Sequence, residues 1–147
     1  MPFQVIYFSR KGNTKKIADA IASELNVKAE DVKDAKVTND AIIFLGSGCY
    51  GGKPGKRMVE FIENNDFTSR NIVLFGTSGG GEGVEVKEME NILKGKNACI
   101  KGSFFCKGKF LLLNRGRPSN EDLEEAKKFA KHLIQERSKD NVIMHIR

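Results

Sequence analysis

Two dense clusters of glycine, each placed directly after a short apolar run, constrain this chain more than any other feature. Five glycines lie within residues 46–55 and five within residues 76–83, which together hold ten of the fifteen in the sequence. Glycine concentrates where the backbone must adopt a positive φ or approach another group closely. The apolar runs before the clusters, 41–45 and 72–75, are typical of strands buried on both faces of a sheet. We therefore expect parallel strands that end in glycine-rich loops.

Strands and helices alternate along the chain, which predicts an α/β fold. The predicted strands are 3–8, a short edge strand within 26–40, 41–45, 72–75 and 98–106. The predicted helices are 14–25, 56–64, 82–94 and a last helix in which Ser119 is the N-cap and Asp122 its capping-box partner. Such alternation produces a three-layer, doubly wound, five-stranded parallel sheet with helices on both faces. We expect one domain over 1–147, with 138–147 as a C-terminal extension that packs on the domain or on another subunit.

Composition excludes several classes of protein. The 147 residues suit one domain, and no apolar run approaches the roughly 20 residues that a membrane-spanning helix needs. The first residues lack the pattern of a secretory signal, so we expect a cytoplasmic protein. The cysteines Cys49, Cys99 and Cys106 have no metal-ligand spacing, which predicts free thiols and no metal site. A net charge of +6 suits an acidic partner, nucleic acid or an anionic cofactor, and no nucleic-acid recognition motif is present.

Ligands of parallel sheets bind beyond the carboxyl ends of the strands, where the predicted loops are 9–14, 46–55, 77–83 and 107–116. The first loop, Ser-Arg-Lys-Gly-Asn-Thr, leads into a helix and offers hydroxyl groups and unpaired backbone N–H groups to an anion. The alternative is an ordinary helix cap with two solvated basic side chains. The loop matches neither the GxxxxGK[ST] nor the GxGxxG phosphate-binding pattern.

Four segments, in chain order, resemble the motifs of the flavodoxin family. Residues 9–14 resemble the family's phosphate loop [ST]-x-[ST]-G-N-T, and residues 46–54 resemble its G-S-P-x-Y-x-G-x-P loop. Residues 76–81 resemble the third loop, and residues 117–123 resemble the P-N-x-x-D-L that opens the last helix. The resemblance implies a flavodoxin-like strand order 2-1-3-4-5, of which flavodoxin is itself the type example, with FMN where the order reverses.

The resemblance also implies which residues bind FMN. The phosphate would be held by Ser9, Lys11, Gly12, Asn13 and Thr14, with added positive charge from Arg10. The isoalloxazine would be lined by Ser47, Gly48, Cys49, Tyr50 and Gly51, with Gly51 or Gly52 allowing a peptide flip, and its pyrimidine edge would meet Thr77, Ser78, Gly79 and Gly80. Tyr50 would stack on the ring, or else be a half-buried loop aromatic. Cys49 is either a redox-active thiol or a small residue that fills space.

The sequence departs from the family's pattern in ways that bear on function. Arg10 and Lys11 make the first loop basic, Gly48 replaces a common proline, and the third loop has no aromatic to cover the second flavin face. A bare second face predicts weaker FMN binding or room for a substrate ring. Because the chain is basic where electron-carrying flavodoxins are acidic, we expect a milder reductant.

The function implied is that of an FMN-binding electron carrier that cycles through semiquinone and hydroquinone and meets a redox partner protein, which the net charge suggests is acidic. The absence of an acid–base pair in the motifs favours a carrier over an enzyme, and no catalytic residue is predicted. Two alternatives stay open: an FMN-dependent NAD(P)H or quinone reductase, and a flavin-free module that binds an acidic partner. Either a monomer or a homodimer is compatible with the sequence.

Overall fold

The structure is a computed structural model that describes residues 3–110 and 113–146, with side chains described as far as Glu136. The described helices are α1 (Asn13–Glu24), α2 (Lys56–Asn64), α3 (Val84–Gly95) and α4 (Asn120–Ile146). The described strands are β1 (Phe3–Phe8), β2 (Ala29–Asp31), β3 (Ile42–Tyr50), β4 (Lys53–Pro54), β5 (Asn71–Ser78) and β6 (Cys99–Lys107). Among the described helices, none is both long and apolar enough to cross a bilayer.

Five of the strands form one parallel sheet in the order β2-β1-β3-β5-β6. The remaining strand, β4, pairs antiparallel with the last two residues of β3. Counting only the parallel strands, the order is 2-1-3-4-5, so the predicted fold class is confirmed. The strand order reverses between β1 and β3, whose carboxyl ends therefore flank an open crevice.

Successive residues of the central strands point to opposite faces of the sheet and build two separate cores. On one face Val5, Tyr7 and Phe44 pack with α1 and α4. On the other face Ile6 and Ile43 pack with α2 and α3. Burial on both faces explains why the strands are apolar at nearly every position, since a parallel sheet covered by helices has no solvated side. The two cores hold the loops at the carboxyl edge in fixed positions.

The predicted length of the third strand, 41–45, is wrong. The strand β3 continues into the first glycine cluster and ends at Tyr50. Gly46 and Gly48 pair in register with Phe75 and Thr77 of β5, as strand residues. A Cβ atom on Gly46 would lie 2.0 Å from the Phe75 ring. These glycines therefore serve close packing within the sheet, and the loop that follows shrinks to a two-residue turn.

Other boundaries also differ from the prediction. The strand predicted over 72–75 is longer, since β5 is Asn71–Ser78, and α1, Asn13–Glu24, lies one residue earlier than predicted. The third helix begins at Val84, two residues later than predicted, because Gly81 and Gly83 both have positive φ and Gly83 is the N-cap. The last strand is Cys99–Lys107, one residue later than predicted. The backbone of α4 runs on to Ile146 through most of the predicted extension, since no glycine or proline interrupts 120–146. What those residues pack against lies outside the described side chains.

Candidate functional site

A cavity of about 210 Å³ opens at the carboxyl edge of the sheet, beside the point where the strand order reverses. Four segments line it, one at the carboxyl end of each of β1, β3, β5 and β6. The lining residues are Ser9, Arg10, Lys11, Asn13, Thr14, Gly48, Cys49, Tyr50, Thr77, Ser78, Gly79, Gly108, Lys109 and Phe110. The sheet topology therefore brings together residues that are as much as 100 positions apart in sequence.

The first segment forms an open donor site at the N-terminus of α1. Gly12, with φ +95°, is the N-cap, and it supplies no side chain to the helix. Its own N–H donates to the Ser9 hydroxyl at 3.0 Å, which closes the loop. The first turn of α1 has no acidic residue. The first N–H groups of a helix have no acceptor within it, so this turn presents unpaired donors and the positive end of the helix dipole.

Tyr50 lies across the second segment and is held by three contacts. Its hydroxyl accepts a hydrogen bond from the Arg10 backbone N–H at 3.1 Å. The Arg10 guanidinium carbon is 4.6 Å from the centre of the Tyr50 ring, and the Phe8 ring meets it edge-on at 5.7 Å. A Cβ atom on Gly48 would lie 2.7 Å from the Tyr50 hydroxyl. The tyrosine therefore needs glycine at position 48, and it joins the first two segments.

A tight hairpin turn follows Tyr50. Gly51 and Gly52 have φ of +61° and +78°, and they connect β3 to β4. Positive φ at both central residues is what a type I′ turn requires, and glycine adopts it without steric cost. Both glycines are exposed, and neither contributes to the lining of the cavity.

The third and fourth segments are joined to the first by hydrogen bonds. The Thr14 and Thr77 hydroxyls share a buried hydrogen bond of 2.8 Å. The Asn13 amide donates to the Lys109 carbonyl at 2.9 Å, and the Asn114 amide donates to the Gly79 carbonyl at 2.7 Å. Side chains that look like phosphate ligands in the sequence therefore also fix the relative positions of the segments.

Eleven of the sixteen residues predicted to bind the cofactor line this cavity: Ser9, Arg10, Lys11, Asn13, Thr14, Gly48, Cys49, Tyr50, Thr77, Ser78 and Gly79. The other five, Gly12, Ser47, Gly51, Gly52 and Gly80, lie outside the lining. Ser47 is fully buried: its hydroxyl accepts from the Gly55 N–H at 2.8 Å and donates to the Gly48 carbonyl at 2.9 Å. Through these two hydrogen bonds the Ser47 side chain holds the backbone of the second segment, without lining the cavity.

The sequence prediction missed Gly108, Lys109 and Phe110, which line the cavity from the fourth segment. Phe110 packs against Gly79. A Cβ atom added to Gly79 would lie 3.4 Å from the Cβ of Phe110. An aromatic ring therefore stands beside the third loop, although that loop contains none itself. The signal was present in the sequence, since residues 107–116 follow a predicted strand and contain the apolar run 110–113.

Two ionisable groups, Cys49 in the cavity lining and Glu85 below it, have raised pKa values. Burial raises the pKa of the Cys49 thiol, and the nearby Glu85 carboxyl raises it further. Glu85 itself is fully buried beneath Gly76, and burial raises its pKa to about 7. A thiol with a raised pKa is a weak nucleophile at pH 7, which favours the space-filling interpretation of Cys49.

Comparisons with known proteins agree with this architecture. A sequence model described as a flavodoxin domain matches residues 4–112. An uncharacterised protein of Methanocaldococcus jannaschii is 33% identical, over 83% of this chain and 90% of its own length. The flavodoxin-like domain-containing protein BilS of Clostridioides difficile is 35% identical, over 71% of this chain and 65% of its own length. The structure of a flavodoxin from the domain Archaea superposes with a TM-score of 0.76 at 20% identity, covering 92% of this chain and 98% of that one. The chain belongs to the flavodoxin family.

Proposed function

We propose that the cavity binds FMN and that the protein carries electrons between other proteins. The observation that supports this most directly is the N-terminus of α1, which has no side-chain cap and opens into the same cavity as Tyr50 and the third loop, residues 77–79. A phosphate suits the unpaired N–H groups and the basic side chains of Arg10 and Lys11. Bound FMN would supply the ability to accept and release electrons one at a time.

The proposed binding mode follows the family's pattern onto matching residues. Ser9, Lys11, Gly12, Asn13 and Thr14 would hold the phosphate, largely through hydroxyl and backbone N–H donors. Gly48, Cys49, Tyr50 and the Gly51–Gly52 turn would line the isoalloxazine, with Ser47 fixing their backbone. The loop Thr77–Gly80 would reach the pyrimidine edge with backbone groups. Phe110 adds an apolar surface that the sequence prediction did not include.

The conformation of Tyr50 implies that the site rearranges when it is loaded. A cavity of about 210 Å³ is below the roughly 300–1,000 Å³ that usually encloses a ligand of this size. Arg10 covers the Tyr50 ring from one side. We propose that Arg10 leaves the ring and turns towards the phosphate, which frees Tyr50 to stack on the isoalloxazine.

A carrier is favoured over a reductase by the chemistry of the lining. Among its residues there is no carboxylate and no histidine to exchange protons with a substrate. Apart from the amines of Lys11 and Lys109, the groups that could do so are the Tyr50 phenol and the Cys49 thiol, whose pKa values are raised chiefly by burial. Electron transfer by the cofactor needs no proton-exchanging group in the lining, because an electron passes between proteins without the transfer of an atom.

The first test is the visible absorption spectrum of the protein after incubation with FMN and removal of the excess by gel filtration. We expect FMN to be retained, and riboflavin, which lacks the phosphate, to be lost. Retention of both to the same extent would contradict the phosphate site at α1. A folded protein that retains neither would leave the flavin-free binding module as the better account.

A second test separates a carrier from a reductase. The FMN-loaded protein is mixed with NADH or NADPH without any other protein, and the absorbance of the nicotinamide is followed. We expect no oxidation by the carrier. Oxidation on a scale of 1 s⁻¹ or faster, about the lower end of typical turnover, would establish the reductase instead.

A further inference from the structure

The positive charge of the chain is concentrated at one edge of the molecule. The four segments at the carboxyl edge, 9–13, 46–55, 76–83 and 107–117, hold seven basic residues and one acidic residue, Glu82. The basic residues are Arg10, Lys11, Lys53, Lys107, Lys109, Arg115 and Arg117. The rest of the chain has 18 basic and 18 acidic residues. The excess of positive charge in these four segments equals the net charge of +6, and the acidic residues Glu121 and Asp122 follow them in the first turn of α4.

The bound phosphate of FMN would not neutralise this edge. A phosphomonoester carries about −1.5 to −2 at pH 7. Arg117 is already paired with Asp122, with its Nε 2.6 Å from the carboxylate. Lys107, Lys109 and Arg115 are exposed and lie beyond the first loop. An excess of positive charge thus faces solvent around the mouth of the cavity in the loaded protein.

The same edge carries the large apolar side chains that are exposed in the described structure. They are Val84, Phe105, Phe110 and Leu113, with exposed fractions of 43% to 62%. We call these four residues the apolar patch.

The second glycine cluster, residues 76–83, lies between members of the patch. Gly83 contacts the Phe105 ring, and Gly79 contacts Phe110. Backbone hydrogen bonds of 3.1 and 2.8 Å pair Phe110 with Leu113. Exposed apolar groups that cluster, with polar groups around them, are typical of an interaction surface.

We propose that the apolar patch, with Lys107, Lys109 and Arg115 around it, is the docking surface for an acidic electron-transfer protein. This inference rests on the proposed function, since the surface adjoins the cavity that would hold FMN. On docking, one electron passes from the reduced centre of one protein to the oxidised centre of the other, and no atom is transferred. Opposite charges speed encounter and orient it, and the apolar side chains exclude water from the contact.

Two other occupants fit the surface less well. A second copy of this chain would present the same basic edge, so the two positive surfaces would repel each other. Single-stranded nucleic acid is attracted by lysines and can stack on phenylalanine. However, Val84, Leu113 and the glycines of the second cluster offer neither stacking surfaces nor side-chain donors for bases.

The test uses two forms of one probe protein. Native cytochrome c is basic, and succinylated cytochrome c is acidic, while both contain the same haem. The FMN-loaded protein is reduced, freed of reductant and mixed with each form in a stopped-flow instrument. At about 10 mM salt we expect the acidic form to be reduced about tenfold faster or more. In 0.5 M salt the two rates should converge, because salt screens exposed charges.

Matched variants locate the surface. Lys107→Glu with Arg115→Glu should abolish the preference for the acidic form. Lys28→Glu with Lys128→Glu changes the net charge equally at exposed positions away from this edge, and should leave most of the preference. Val84→Ser with Leu113→Ser should slow reduction of the acidic form at every salt concentration. None of these residues lines the cavity, so the flavin spectrum should be unchanged.

Binding without electron transfer gives an independent readout. A carbodiimide joins lysine amines to carboxylates, so the flavin-free chain is cross-linked to succinylated cytochrome c and the linked lysines are mapped. We expect Lys107 and Lys109 to dominate. Cross-links spread evenly over the surface, equal rates for the two cytochromes, or equally tight binding of a dT20 oligonucleotide would overturn the proposal. Failure to retain FMN would instead refute the proposed function, because cross-linking does not require it.

Discussion

Glu85 is the residue whose environment is least favourable to its charge. The side chain is fully buried, and neither carboxylate oxygen has a hydrogen-bond partner. Burial raises its pKa to about 7, and its own backbone N–H opposes this without reaching hydrogen-bond geometry. The carboxyl lies against Gly76, where a Cβ atom would be 2.4 Å from Oε2. The folded protein therefore holds a proton on Glu85 below about pH 7, where the unfolded chain would have lost it.

This environment predicts how stability depends on pH. Because the folded-state pKa is above the ordinary value of 4.5, stability is greatest below pH 4.5 and is lost as the pH rises through about 7. The loss amounts to about 3 kcal/mol. Glu85→Gln, which stays neutral, should gain this amount relative to the natural chain between pH 4.5 and pH 8, measured by urea unfolding.

The exposed Glu82→Gln substitution is the control for that measurement, and its relative stability should stay nearly constant over the same range. A stability difference between Glu85→Gln and the natural chain that does not change with pH would show that Glu85 is charged in the folded protein.

Gly12 is the residue at which backbone conformation matters most for the site. Its φ is +95°, and nothing lies within 4 Å of an added Cβ. Gly12→Ala should therefore cost about 1–2 kcal/mol through backbone strain alone. It should also weaken FMN binding, since the loop would relax away from the conformation that opens the N-terminus of α1. Urea unfolding and a flavin titration measure the two effects.

Gly95→Ala is the matched control for Gly12→Ala. Its added Cβ also meets nothing within 4 Å, and its φ is outside the positive range. We expect a stability change within about 1 kcal/mol, in the stabilising direction, and unaltered FMN binding. If Gly12→Ala behaved in the same way, the left-handed conformation would not be required at position 12.

At the scale of elements, the start of α4 is held by a capping box that the sequence predicts. The Ser119 N–H donates to the Asp122 carboxylate at 2.7 Å, and the Asp122 N–H donates to the Ser119 hydroxyl at 3.2 Å. Arg117 adds two further hydrogen bonds to the same carboxylate. The bonds from Arg117 and Ser119 outweigh burial and hold the pKa of Asp122 below its usual value. One side chain thus connects the fourth loop to the last helix.

Asp122→Ala should destabilise the protein by about 2–3 kcal/mol at pH 7, because it leaves the partly buried donors of Arg117 and Ser119 unpaired. The pKa of Asp122 is depressed, so its contribution is present above pH 3.8 and is lost as the pH falls below that value. Thermal unfolding from pH 7 down to pH 2 would show the variant and the natural chain converging.

Ser119→Ala keeps the pair between Arg117 and Asp122 and removes the serine hydroxyl of the cap. It should cost about 1 kcal/mol, less than Asp122→Ala. Equal costs for the two substitutions would mean that the Arg117 ion pair contributes nothing.

At the scale of the whole molecule, the charge distribution bears on the reduction potential. Adding an electron to bound FMN is favoured by positive charge nearby, and the four segments at the edge where FMN would bind hold seven basic residues and one acidic residue. We therefore expect a higher midpoint potential for the second electron than acidic flavodoxins show. Lys107→Glu with Arg115→Glu should lower it by tens of millivolts, measured by redox titration.

The control for that titration is the pair Lys28→Glu with Lys128→Glu, which should move the potential much less, since those side chains are far from the edge. A potential as low as that of an acidic flavodoxin in the natural chain would contradict the electrostatic argument, whatever the variants show.

The fold class and most of the candidate site could be predicted from the sequence. Apolar runs such as 72–75 can only be satisfied between two helical layers, and the residues that follow a parallel strand must lie at its carboxyl edge. This is why eleven predicted residues do meet in one cavity. Local rules sufficed also for the capping box at Ser119, whose hydrogen bonds join residues only three apart.

The groups that face each other across the sheet could not be predicted, because they depend on how distant elements pack. Gly46 belongs to a strand because the Phe75 ring of a neighbouring strand fills the space of its side chain. Glu85 is buried against Gly76 of β5 without a hydrogen-bond partner, and Phe110 reaches Gly79 across a gap of 31 residues. Contacts of this kind depend on register and packing between elements, which no local pattern encodes, whereas strand and helix periodicity is a property of neighbouring residues.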